Sequence, residues 1–272
     1  MAVCQSIRLR DNMPKQFILN KNKSIGKVIY IVEGNRKEFT LLSHIFTKIL
    51  NYSVIHAKRQ EGIYEKYISA VNPDSQVYII NSETSNIGSL KSLSGKDYLD
   101  TVFRVLYDRY QLDTTNAATY YIFDRDYESN LAKDCRDLVG ILKNSRDNDY
   151  EANGLLLLSY PSIESYIFSC FEDSTEEYID TPATIKKITS IGKYQYNKLK
   201  DKEMIRACTN MLATQLHILG VDIAPSDLDD FSKINGQVLE IEDKKVSEDS
   251  LYRILSFLSV SFIDLGIITE EE

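Results

Sequence analysis

At 272 residues, with 43% hydrophobic and 26% charged side chains, the chain is long enough for one large domain or two modest ones around a real buried core. No apolar run approaches the roughly 18 residues that a membrane span needs. The formal net charge of −8 argues against a surface that coats nucleic acid non-specifically, while leaving room for a local basic track.

The first segment, "MAVCQSIRLRDNMPKQ", has no continuous apolar stretch, so no secretory leader is expected and cytoplasmic residence is the default. A polar arm over residues 1–25 gives way to "KVIYIVEG", a short apolar run ending at Glu33 and Gly34 that reads as a buried strand. In "NRKEFTLLSHIFTKIL", Phe39, Leu42, Ile45, Phe46 and Ile49 fall at helical spacing. "YSVIHA" is a second strand, "GIYEKYISAV" is expected to be a short helix, and "SQVYIIN" is a third strand. The Ser- and Asn-rich stretch from Ser82 to Gly95 reads as a long loop. "KDYLDTVFRVLYDRY" is helical, "TYYIFD" a fourth strand, and "NLAKDCRDLVGILK" helical again. "GLLLLSYP" is a fifth strand, whose proline is expected to open the helix "SIESYIFSCF".

Strands that alternate with helices and are apolar on both faces predict an α/β unit with a mostly parallel sheet over residues 26–172. After the acidic, polar linker "EDSTEEYIDTPAT", residues 173–272 are expected to be mainly helical, through "MIRACTNMLATQLHIL" and "DSLYRILSFLSVSFIDLG". This region either packs on the α/β unit or forms a small domain of its own.

Cys4, Cys135, Cys170 and Cys208 are widely scattered, as are His44, His56 and His217, and none has the spacing of a zinc or redox motif. Any metal would therefore be held by carboxylates, which favours magnesium or manganese. Parallel α/β sheets bring the carboxyl ends of their strands to one edge, where sites form. Three strands here finish in acids: Glu33 after the first, Asp124 and Asp126 after the fourth, and Glu164 across a turn from the fifth. Glu38, one turn into the first helix, can lean toward the same edge.

Carboxylates gathered in one place raise one another's proton affinity, and a divalent cation reverses that logic. The spacing in "DRD" lets both aspartates project to one side of an extended chain. Each acid also has a plain structural alternative. Asp124 or Asp126 could cap the next helix, Glu33 could be an ordinary strand-end charge, and Glu38 could close a capping box with Asn35.

The ordered pair "IYIVEGNRKE" and "YYIFDRDYE" resembles a TOPRIM domain, the metal-dependent catalytic module of topoisomerases, bacterial primases and several nucleases. The segment "LLLLSYPSIESYIF" is similar to the Pro-x-x-Glu element of OLD-family, RloB-like and related TOPRIM effectors of bacterial antiphage defence. The resemblance covers about residues 26–172 and implies a TOPRIM-like, Rossmann-like sheet flanked by helices. It implies Glu33 as a metal ligand or general acid/base, Asp124 and Asp126 as magnesium ligands, Glu38 as a further catalytic acid, and Glu164 as part of a second metal position. The chain lacks the large additional domains of topoisomerases and primases, and it has no Walker A sequence. Stand-alone TOPRIM subunits of this kind act beside a separate ATPase, which is the partner the resemblance implies; an oligomer is compatible with it.

The expected activity is Mg2+- or Mn2+-dependent hydrolysis of DNA or RNA phosphodiesters. For the polyanion, "KKITSIGKYQYNKLKDK" offers Lys186, Lys187, Lys193, Lys198, Lys200 and Lys202 interleaved with Tyr194 and Tyr196, and "HAKRQ" adds Lys58 and Arg59. A solvated helix face with tyrosines packed beneath it would look the same. Two other function classes share these features. One is a haloacid-dehalogenase-type phosphatase, although Tyr127 and Glu128 follow the aspartates where that family has Thr or Val. The other is a non-catalytic regulatory or interaction subunit of an ATPase complex.

Overall fold

The apolar runs ending at Val32, Asn81, Asp124 and Tyr160 lie side by side at the centre of one sheet. The structure, a computed structural model, describes residues 16–33, 37–57, 64–82, 104–109, 111–112, 114, 116–128, 131–146, 154–173, 177–220 and 231–271. Its strands in chain order are β1 (Phe17–Leu19), β2 (Lys27–Val32), β3 (Tyr52–Ala57), β4 (Tyr64–Ser69), β5 (Gln76–Asn81), β6 (Ala117–Asp124), β7 (Lys143–Asn144), β8 (Gly154–Tyr160), β9 (Tyr178–Ile179), β10 (Tyr252–Arg253), β11 (Leu255–Ser256) and β12 (Ile268–Glu270). The α-helices are α1 (Lys37–His44), α2 (Ala132–Ile141), α3 (Glu164–Phe171), α4 (Pro182–Thr189), α5 (Asp201–Leu219), α6 (Phe231–Asp249) and α7 (Leu258–Asp264). None of the described helices is long and apolar enough to cross a membrane.

Among the described residues the main sheet has eight strands, in the order β11-β8-β6-β2-β5-β4-β3 with β7 also on β8. Its centre is parallel: β5 with β2, β2 with β6, and β6 with β8. The flanking strands β4, β3, β7 and β11 pair antiparallel. The mixed α/β class and the mostly parallel centre are therefore as the sequence predicts. β2, β6 and β8 are buried almost throughout, because neighbours cover both edges and helices cover both faces. β8 starts at Gly154, whose φ of +125° and close approach to the Thr119 carbonyl leave no room for a Cβ atom.

Three expectations need correction. "YEKYIS" is strand β4 rather than a helix: its buried residues are Glu65, Tyr67 and Ser69, a period of two, and its backbone pairs with β3 and β5. The expected helix in "DSLYRILSFLSVSFIDLG" is short, α7 alone. Before it, Leu255–Ser256 adds a strand to β8, and the Ser159 and Ser256 hydroxyls meet at 2.8 Å. Pro161 does not open the following helix, which begins at Glu164. The C-terminal region otherwise carries helices α4 to α7 and the short strands β9, β10 and β12. Phe231, Val238, Leu239, Phe257 and Phe262 join the same hydrophobic core as the sheet.

Candidate active site at the carboxyl edge of the sheet

β2 and β6 run parallel, with Val32 opposite Ile122, so their carboxyl ends finish together. Glu33 is the next residue beyond β2, and its N–H donates to the Ile122 carbonyl at 3.3 Å. That placement lets the Glu33 side chain reach across to the neighbouring strand. Its Oε2 accepts the Asp124 backbone N–H at 3.1 Å.

Asp124 in turn reaches toward β8. Its Oδ1 accepts the Ile163 N–H at 2.7 Å, at the turn that enters α3. Asp124 thus holds the turn that leads into the helix after β8, rather than capping the helix that follows it in sequence. Asp126 closes a local turn by accepting the Glu128 N–H at 3.1 Å. Both aspartates line one cleft, together with Pro161 and Ser162.

The arginine between them points the other way, as alternation along an extended chain requires. Arg125 is 3% exposed. Its Nε donates to Asp243 Oδ1 on α6 at 2.9 Å, and its guanidinium lies 4.3 Å from the centre of the Tyr127 ring. The "DRD" triplet therefore does two jobs. Its acids face the cleft, and its arginine fastens the strand end to the C-terminal helices.

Two further acids complete the edge. Glu164, in the first turn of α3, is buried and pairs with the Lys37 ammonium at the start of α1. Glu38 is buried one residue further along α1. The electrostatic consequence falls on Asp124. Burial, then the negative charges of Glu38, Glu164 and Glu33, push its proton affinity well above the usual carboxylate range, against the opposing Ile163 N–H. Glu164 goes the other way. Burial raises its proton affinity, but hydrogen bonding and attraction to Lys37 outweigh that, and its carboxyl sits below the usual range.

The donor chemistry of this edge, all carboxylate with a serine hydroxyl beside it, suits a hard divalent cation, and the charge excess felt by Asp124 is what such an ion relieves. The acids are neighbours without forming a closed cage. Among the described residues, no three His, Cys, Asp or Glu side chains converge as a ligand group. Instead the Glu33, Asp124, Asp126 and Glu164 carboxylates each take a donor from the protein.

The nucleic-acid residues expected from sequence divide. Lys58 and Arg59 lie outside the described residues. Lys193 and Tyr194 both bond Glu172, and the Tyr194 ring stacks on Phe168 at 5.7 Å, so this pair folds its own loop. Lys198 donates to the Gly192 carbonyl at 2.5 Å. Tyr194 and Tyr196 nevertheless line a second cleft with Lys37, Glu164 and Lys186. Sequence reasoning missed Lys37 as the partner of Glu164. The two are 127 positions apart, and only the fold brings them together.

No protein-family model, curated protein or solved structure matches this chain.

Proposed function

We propose that the chain is a metal-dependent phosphodiesterase of the TOPRIM kind that hydrolyses nucleic acid. The observation that carries this reading is the Glu33–Asp124 contact, which joins the Glu–Gly and Asp-x-Asp segments at the carboxyl edge of a parallel sheet. Glu33, Asp124 and Asp126 would hold the ion, with Glu164 contributing from α3. A bound Mg2+ or Mn2+ there supplies Lewis-acid activation of water and stabilises charge on the phosphoryl oxygens.

The chain's own residues prepare that site. Glu33 is oriented by the Asp124 N–H, and Asp124 by the Ile163 N–H, so both carboxylates are fixed by backbone rather than by mobile side chains. Lys37 keeps Glu164 ionised in a buried position. Arg125 holds the end of β6 against α6, which sets where its two aspartates project. A role as an antiphage effector beside a separate ATPase follows from the sequence resemblance.

The test is cleavage of single-stranded, double-stranded and transfer-RNA substrates with Mg2+ or Mn2+ by wild type, Glu33→Gln and Asp124→Asn. Wild type is expected to cleave and both folded variants to lose at least about a hundredfold in rate, the scale on which removing one positioned catalytic group acts. Equal cleavage by all three would remove these acids from the mechanism.

A further inference from the structure

Two clefts open beside the strand-end acids, and Lys186 of α4 lines both. One, about 270 Å3, holds Asp124, Asp126 and Ser162. The other, about 350 Å3, runs between α1, α3 and α4 toward Tyr196. Two features of these clefts point to a ligand. Lys186 is exposed and forms no ion pair among the described residues, so its ammonium is available to an anion. The Tyr196 ring is 42% exposed and is held edge-on by His44, with centroids 5.9 Å apart at 69°.

Acids at one end, a cation shared by both clefts and an upright aromatic ring at the other end make a sequence of chemistries along one path. The matching ligand is a polyanion that also carries flat rings. A duplex keeps its base faces stacked and paired, and cannot offer one to Tyr196 without being opened. A cleft of this size also sits at the small end of the range for ligand pockets, which suits one nucleotide unit at a time.

We infer that the two clefts sharing Lys186 bind single-stranded nucleic acid, with a phosphate on Lys186 and a base against Tyr196, and lead the strand toward Asp124 and Asp126. This deepens the phosphodiesterase reading and rests on it only for which end of the path is reactive. Of the lysines that the sequence offered in this stretch, Lys186 is the one that lines both clefts, whereas Lys193 is paired with Glu172 and Lys198 donates to the Gly192 carbonyl.

Fluorescence anisotropy with a short labelled oligothymidylate and with a matching duplex, in EDTA so that no bond is cut, tests the inference. Wild type should bind the single strand more tightly than the duplex. Lys186→Ala should weaken binding and reduce the slope of log K against log salt by about 0.7, the share of one phosphate contact on a single strand. Tyr196→Ala should lose roughly tenfold in affinity, and Tyr196→Phe should keep it. Lys244→Ala, at a lysine that lines neither cleft, serves as the unchanged control. Tighter binding of the duplex, no binding of the single strand, or wild-type affinity and salt slope in both alanine variants would each overturn the inference. Binding is read without an ion or a reaction, so a protein that binds as expected but cleaves nothing refutes only the phosphodiesterase reading. Cleavage that survives loss of both cleft residues refutes only the cleft.

Discussion

Glu33 grips the backbone of Asp124: a side-chain oxygen from the end of one parallel strand accepts the N–H at the end of the next, 91 positions later, at 3.1 Å. Register places this contact, since Val32 stands opposite Ile122 and the two chains leave the sheet together. Asp124 then passes the connection to the turn after β8 through Ile163. Three strand ends are thereby linked by carboxylates, and the like charges of the linked groups remain close.

Burial, and then that closeness, makes Asp124 a source of instability when ionised. Its folded proton affinity is raised, so the folded state binds the proton more tightly than the unfolded chain does. Stability from this group is therefore present at low pH. It falls as pH rises from the ordinary aspartate value through the raised one. Asp124→Asn, which keeps an acceptor for the Ile163 N–H, is expected to raise the Tm in EDTA at neutral pH by about 2–4 °C, the equivalent of about 1 kcal/mol in a chain of this size. The gain should vanish in acid. Added Mg2+ should raise the Tm of wild type and not of the variant, and thermal melts across pH with and without the ion would show both effects.

Glu164 has the opposite sign. Its folded proton affinity is lowered, so its contribution is present above the ordinary glutamate value and is lost as pH falls through the lowered one. Lys37→Met removes the partner and leaves a buried carboxylate. Because the Lys37 side chain is 55% exposed, solvent already screens the pair, and the expected loss is modest, about 1 kcal/mol at neutral pH. The loss should shrink in acid as Glu164 takes up a proton. Urea titrations of both proteins at neutral and acid pH measure it.

Arg125 and Asp243 form a much more enclosed pair, with 3% and 14% of their side chains exposed. Either replacement breaks this buried pair, and Arg136, 3.9 Å from Asp243, offsets part of the loss, so Arg125→Met or Asp243→Leu is expected to cost about 3 kcal/mol. The double variant should recover a large part of that loss. Chemical denaturation of the four proteins gives the coupling energy directly. Additive losses would mean that the pair does not act as a unit.

The centre of the fold was legible because strands buried on both faces read as continuous apolar runs, and β2, β5, β6 and β8 do so. The edges were harder to read. In β4, Tyr64, Tyr67 and Ile68 mimic helical spacing, and only pairing with β5 selects the extended form. β11 is two residues long and carries no pattern of its own. At the candidate site the acids stand at strand ends, where a sequence announces them. Their partners do not. Lys37 meets Glu164 and Arg125 meets Asp243 across more than a hundred positions, and neither lysine nor arginine differs in composition from its solvated neighbours.

The order of strands also sets a timetable for synthesis. β8 carries Ser159 and leads into the turn beside Asp124, yet its outer neighbour β11 follows only after helices α3 to α6. β1, near the start of the described chain, likewise waits for β12. A ribosome must therefore extrude the described helices α3 to α6 while the flank of β8 beyond its short pairing with β7 stays open to solvent or to another nascent chain. That interval is when such a protein is most exposed to edge-to-edge association and most dependent on chaperones.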